Sequence, residues 1–219
     1  MDTDITIDNI LDAYACGYFP MADSADSPDF YWYNPEMRGQ LSITGLHVPK
    51  RLRRTALAAP FEIRVDTVFA DVIEACAQAS DTRKETWINP AIRDCFIKLY
   101  DAGYAHSVEC WQDGKLAGGL YGLALGGVFC GESMFSKATD ASKIALLHLC
   151  ARLWKAGFSV LDTQYVNPHL EQFGVYEVSR DLYLEKLQTA LQARPDFLLS
   201  AQMPVDEQAL LRMWLETIA

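Results

Sequence analysis

Two short polar clusters in this sequence combine residue types that could move a proton or hold an attacking group. The first is Cys130-Gly131-Glu132-Ser133-Met134-Phe135, at the end of an apolar run. A carboxylate there could orient a substrate amine or hydroxyl, and the glycine permits close backbone approach. The second is Asp162-Thr163-Gln164, just beyond the strand-like run Phe158-Ser159-Val160-Leu161. In a strand, Asp162 and Gln164 point the same way, so both are expected to address one substrate. The acid would orient or polarise, while the amide would hold an attacking group or an oxyanion. Taken alone, each cluster fits equally well as a plain hydrogen-bonding group at a strand end.

Other chemistries lack their signatures. There is no GxxxxGK[ST] phosphate loop and no GxSxG nucleophile elbow. Cys16, Cys76, Cys95, Cys110, Cys130 and Cys150 are scattered without a CxxC pair, which suits buried, reduced thiols rather than disulfides. His47, His106, His148 and His169 do not fall at zinc-site intervals, so no metal is expected. The net charge of −10 argues at first against a polyanionic partner, but seven aspartates and no Lys or Arg fall within residues 1–30. Against that background Lys50-Arg51-Leu52-Arg53-Arg54 is a concentrated cationic cluster, fit either for a solvated helix face or for phosphate contacts. Tyr18-Phe19-Pro20-Met21 and Phe30-Tyr31-Trp32-Tyr33 flank a polar loop, as a small satellite core or a stacking surface for a base.

The elements that must position these groups can be read from periodicity. Apolar positions 5, 7, 10, 11, 14 and 15 predict a short helix ending at Gly17. Beyond it, strands are expected over 40–44 and 61–65, with helices from the basic cluster, over 66–79 and over 89–102. A meander follows over 107–111, 116–123 and 127–130, with Asp113-Gly114 as a tight hairpin turn. Asp140 can cap a helix running to Ala156, with Ile144, Leu147, Ala151 and Trp154 on one face and Gly157 at its stop. A strand over 158–161 and helices over 169–173, 181–193 and 205–218 complete the chain. The pattern predicts an α+β fold with one mixed sheet and flanking helices. It becomes mixed α and β from about Gly39.

At 219 residues, 50% hydrophobic and 22% charged, the chain is long enough for a sizeable core and too apolar for disorder. No run approaches the ~18–20 apolar residues of a membrane helix. The N-terminus lacks a secretory pattern. Cytoplasm is the expectation, with no membrane and no DNA partner.

The motifs in order are Gly17-Tyr18-Phe19-Pro20, Trp32-Tyr33-Asn34-Pro35, Glu85-Thr86-Trp87-Ile88, Gly103-Tyr104-Ala105-His106-Ser107, Gly118-Gly119-Leu120-Tyr121-Gly122, residues 129–136, Ala141-Ser142-Lys143 and Asp162-Thr163-Gln164. Together they resemble the bacterial leucyl/phenylalanyl-tRNA–protein transferases over roughly residues 10–190. The resemblance implies a small N-terminal domain over 1–38 ahead of an acetyltransferase-like (GNAT-like) catalytic domain over 39–219. There the 3′ end of an aminoacyl-tRNA charged with Leu or Phe, or with Met as a third donor, replaces coenzyme A. The acceptor is a protein with N-terminal Arg or Lys, marked thereby for N-degron degradation. No cofactor is implied, and a monomer is expected.

By the same resemblance Asp162 and Gln164 serve the acyl transfer and Glu132 lines the donor site. Leu120, Phe129, Leu149, Leu153 and Leu161 match the side-chain pocket. Trp87 and the N-terminal aromatics, with Trp32 and the Met21 position among them, match the surface that stacks on the terminal adenine. Lys50, Arg51, Arg53 and Arg54 match a cluster on the tRNA acceptor stem. Three departures stand out: no preceding Gly-Gly-Asp segment, Met21 where an aromatic is common, and a distinct C-terminal stretch beyond Leu198. A CoA-dependent N-acyltransferase should carry a Gly-rich pyrophosphate loop at a helix N-terminus, which the sequence lacks. A catalytically silent tRNA-binding protein is the remaining alternative.

Overall fold

The computed structural model describes residues 6–78 and 86–218. Ile5, Ala79 and Glu85, on which parts of the expected helices and motifs fall, lie outside the described residues. The chain opens with helix α1 (Ile7–Ala15), capped where the Asn9 amide donates to the Thr6 hydroxyl. Two short strands, β1 (Phe19–Met21) and β2 (Tyr31–Tyr33), pair antiparallel. Strand β3 (Met37–Leu41), helix α2 (Lys50–Leu57), strand β4 (Glu62–Val65) and helices α3 (Phe69–Ala77) and α4 (Pro90–Asp101) follow. Then come β5 (Ala105–Gln112), β6 (Lys115–Leu125), β7 (Val128–Ser136) and the long helix α5 (Ala141–Ala156). Last are β8 (Val160–Gln164), α6 (Pro168–Glu171), β9 (Tyr176–Ser179), α7 (Arg180–Ala190) and α8 (Glu207–Thr217).

Local chemistry accounts for several of these boundaries. Asp113 and Gly114 both take positive φ, at 50° and 71°, which matches the twist of the β5–β6 hairpin. Gly157 ends α5 in the left-handed region, as its position predicts. Asp140 does stand before α5, but it does not cap with its side chain. Its carboxylate accepts from Lys143 at 2.9 Å and from Arg51 at 3.3 Å. The Ser142 amide instead donates to Ser136 Oγ, which fixes the start of α5 to the end of β7.

Seven strands form one mixed sheet in the order β4-β5-β6-β7-β8-β3-β9. Only β7 and β8 run parallel, joined through α5 as a βαβ unit. Strand β3 spans residues on both sides of the expected 38/39 division and lies between β8 and β9. Periodicity does not predict β9, because Tyr176-Glu177-Val178-Ser179 is short and buries only Val178. Each face of the sheet carries its own apolar cluster. One holds Leu52, Ile144, Leu147 and Trp214, under α2, α5 and α8. The other holds Tyr14, Phe19, Val72, Phe96 and Tyr183, so the N-terminal segment shares its core with α3, α4 and α7.

Helix α5 departs from the amphipathic expectation. It is buried nearly all round from Ala141 to Leu153, while Trp154 remains half-buried. The reason is α8, whose Leu210, Leu211, Trp214 and Leu215 are buried beside it; a helix covered on two sides needs no polar face. Trp214 Nε1 also donates to the Ile43 carbonyl at 2.8 Å. Five cysteines are buried, but Cys16 is exposed, beyond the end of α1. No helix among the described residues is long and apolar enough to cross a membrane.

Candidate active site

The parallel β7–β8 ladder lasts only from Val128↔Val160 to Cys130↔Asp162. Past that point both strands bulge. Between β6 and β7 the register steps from Gly122↔Gly131 to Tyr121↔Ser133, leaving Glu132 as the extra residue. Between β3 and β8 it steps from Gln40↔Asp162 to Gly39↔Gln164, leaving Thr163 extra. A bulge re-aims its side chain and ends pairing, so two at the same level part the strands. Gln164 adopts φ of 56°, and Gly39 opposite it has no room for a side chain. A Cβ there would lie 2.7 Å from the Tyr165 backbone carbon.

A cavity of about 910 Å³ opens where the strands part. Leu120, Leu149 and Leu161 line it, as expected, together with Leu146 and Met134. Phe129 and Leu153, the other two expected pocket residues, are fully buried behind this wall; Phe129 stacks on Phe197 at 5.4 Å. Leu146 was within reach of sequence reasoning, since it stands one helical turn before Leu149. Its polar lining includes Glu132, Thr163, Gln164, Asn167, His169 and Lys137. Trp87 also lines it, and its carbonyl accepts from the Ala22 amide at the end of β1. Met21 therefore sits beside Trp87 along the backbone, but neither Met21 nor Trp32 lines the cavity. Trp32 is exposed on β2, with the Phe30 ring edge-on at 5.4 Å.

Asp162 does not face the cavity. The bulge at Thr163 breaks the strict alternation, and the carboxylate turns into the sheet, fully buried. Oδ1 accepts from Arg38 Nε and the Gln164 amide, both at 2.9 Å. Oδ2 accepts from Arg38 Nη2 at 2.7 Å, Tyr183 Oη at 2.9 Å and more weakly Cys130 Sγ at 3.6 Å. Its lone pairs are thus taken by protein donors, the Gln164 amide among them. Arg38 lies between the rings of Phe19 and Tyr183, 4.5 and 4.4 Å from their centroids, and donates to the Gly17 carbonyl at 2.9 Å. Burial opposes its charge, yet Asp162 more than offsets this and holds the guanidinium above its ordinary value. Sequence reasoning missed Arg38. One signal was present: it is the first cation in the chain, after 37 residues without Lys or Arg.

Glu132 and Gln164 meet across the opening, with Gln164 Nε2 donating to Glu132 Oε1 at 3.3 Å. Tyr14 of α1 donates to the same oxygen at 2.8 Å. Burial pushes the Glu132 carboxyl up to about 8, against the opposing pull of the Tyr14 hydrogen bond. The basic residues of α2 stand nearby in part. Lys50, Arg51 and Arg54 are exposed and Arg53 is half-buried. Arg51 shares Asp140 with Lys143, whose charge, added to burial, lowers His169. The cationic face of α2 is in this way linked to the head of α5 and the polar side of the cavity.

An apolar chamber whose wall also carries a half-buried carboxyl and an amide suits the transfer of a group with an apolar side chain. Comparison with known proteins agrees on that class: the chain is a transferase of the aminoacyl type. Residues 40–188 match the family described as leucyl/phenylalanyl-tRNA protein transferase, and residues 3–36 match the N-terminal domain of the same family. The chain belongs to this family. A leucyl/phenylalanyl-tRNA–protein transferase of Paramagnetospirillum magneticum is 56% identical over 187 residues, covering 85% of this chain and 90% of the relative. Those of Rhodospirillum rubrum and Hyphomonas neptunium are 51% and 48% identical. They cover 88% and 93% of this chain, and 91% and 79% of themselves.

Proposed function

We propose that the protein transfers leucine or phenylalanine from aminoacyl-tRNA to the N-terminus of an acceptor protein. The cavity itself carries this reading: Leu120, Leu146, Leu149 and Leu161 offer an apolar berth to an aliphatic or aromatic side chain not branched at Cβ, and Glu132 and Gln164 line the same cavity to meet the reacting groups. The aminoacyl ester enters with its side chain among the leucines and its terminal adenine against Trp87. The α-amino group of the acceptor attacks the ester carbonyl, the ribose oxygen leaves, and the more stable amide needs no ATP. Gln164, with Nε2 held by Glu132, presents its carbonyl oxygen to the attacking amine. Asp162 and Arg38 fix the strained backbone that aims it.

Lys50, Arg51, Arg53 and Arg54 would neutralise acceptor-stem phosphates without reading sequence. We assign the acceptor as a protein beginning with Arg or Lys and the fold as GNAT-like, opening at the parted strands. Residues 1–38 make up its N-terminal domain and 39–219 its catalytic domain, and the protein works as a cytoplasmic monomer that marks acceptors for N-degron degradation. The acyl pocket discriminates by shape, at ~1–3 kcal/mol per methylene, so Leu, Phe and Met donors are graded rather than absolute.

The test is transfer of radiolabelled leucine from charged tRNA to peptides beginning with Arg, Lys, Asp or Ala, without ATP or CoA. Label confined to Arg and Lys peptides is expected. Gln164→Ala and Asp162→Ala should each lower turnover ~100-fold or more while tRNA binding changes little. Bound tRNA without any transfer would leave a binding protein, and dependence on acyl-CoA would replace the donor.

A further inference from the structure

Helix α1 belongs to the N-terminal segment, yet its Tyr14 reaches Glu132 of β7, which lines the cavity. The hydroxyl donates to Glu132 Oε1 at 2.8 Å across 118 residues of sequence, and the ring is buried. Gln164 Nε2 donates to that same oxygen from the opposite side. Oε1 is therefore occupied by two protein donors, whereas Oε2 accepts no hydrogen bond from any described residue, and the carboxyl lines the cavity. A carboxyl held by one oxygen and bare at the other is placed to exchange a proton with what enters.

Resting on the transfer reading above, we infer that Glu132 is the proton acceptor for the attacking amine and that Tyr14 is the positioning residue that orients and tunes it. In the reaction the amine nitrogen forms its bond to the ester carbonyl carbon and releases one proton to Glu132 Oε2. As the carbon–oxygen bond to the ribose breaks, Glu132 returns that proton to the departing ribose oxygen. The carboxylate is regenerated, and no other reactant is consumed. Gln164, a neutral amide and a very weak base, has only to accept a hydrogen bond from the amine. Asp162 exchanges no proton with the reactants, because its oxygens are filled by Arg38, Tyr183, Cys130 and the Gln164 amide, and it serves the transfer only by positioning Gln164.

The groups facing Glu132 set the sign of its pH response. They are Tyr14 from α1 and Cys130 from its own strand, with Asp162 from β8 and Arg38 from β3 behind. Burial raises the carboxyl to about 8, Asp162 adds to this, and Tyr14 and Arg38 work against it. The base form thus grows as pH rises through that value. Removing the Tyr14 hydroxyl takes away a donor to the carboxylate, so the rise moves to higher pH.

Single-turnover transfer to one Arg-initiated peptide, from about pH 6.5 to about pH 9, tests this in the unaltered protein, Tyr14→Phe and Glu132→Gln. The peptide amine titrates identically in all three, so any difference between profiles belongs to the enzyme. Tyr14→Phe should move the rising limb up by roughly half to one pH unit and regain much of the rate at the alkaline end. Glu132→Gln should lose ~100-fold or more and keep charged tRNA bound, with melting temperatures confirming that both variants are folded. A Tyr14→Phe profile lowered by one factor at every pH would overturn the assignment. So would Glu132→Gln retaining a tenth of the rate. Absence of transfer by the unaltered protein would instead refute the functional reading, and this inference with it.

Discussion

Replacing Arg38 with methionine isolates the ion pair beneath the active site. The guanidinium and the Asp162 carboxylate are 1% and 0% exposed, joined at 2.7 Å, with a second contact from Nε at 2.9 Å. Methionine keeps most of the stem between Phe19 and Tyr183 but leaves a carboxylate buried without its cation. Breaking one partner of such a pair costs about 3–5 kcal/mol. In a chain of this length each kcal/mol lowers the melting temperature by about 2–4 °C, so a fall of ~6–20 °C is expected. Thermal and denaturant unfolding followed by circular dichroism measure it. Arg38→Met combined with Asp162→Leu should recover about half of the loss, since no charge then remains uncompensated. A cost below ~1 kcal/mol, typical of a surface pair, would refute the reasoning. A double variant worse than the sum of the singles would do so equally.

Leu149→Ala should cost about 2–5 kcal/mol of stability and also move donor choice toward the larger side chain by ~10-fold or more, measured with Leu- and Phe-charged tRNA in competition. Leu153→Ala should cost as much stability without moving that ranking, because it lies behind the cavity wall; an equal shift would erase the distinction drawn between the two positions. Arg53→Ala with Arg54→Ala should weaken tRNA binding and flatten its salt dependence, by ~0.7–0.9 in slope for each phosphate left without its cation. An unchanged slope would return α2 to ordinary surface.

What the sequence discloses of this fold follows the range of the interactions. The Asp113-Gly114 turn, the Gly157 stop and the β5–β7 meander depend on neighbours, and each lies where residue type and periodicity place it. Glu132 and Gln164 were legible as polar groups beyond apolar strands, and the structure brings them within 3.3 Å. The role of Asp162 was not legible, because period-two alternation fails at a bulge and nothing local announces the extra residue at Thr163. Arg38, Tyr183 and Tyr14 escaped for a related reason. A buried cation or phenol is chosen by partners far along the chain, and a single sequence shows only the residue. Short β9 escaped because β3 pairs with it through backbone groups that carry no side-chain pattern.

The place of β3 has a consequence for how the chain is made. It is the third strand to leave the ribosome, yet its neighbours in the sheet are β8 and β9, and Arg38 must wait 124 residues for Asp162. Pairing at such separation is slow, because loop closure precedes any reward. The meander and α5 can gather first around their local contacts, while the first forty residues stay unseated. The Arg38–Asp162 pair and the Glu132–Gln164 bond span 124 and 32 residues, so they are expected to close after the local contacts. The proposed site is therefore expected to be completed late in folding, once β8 has joined β3.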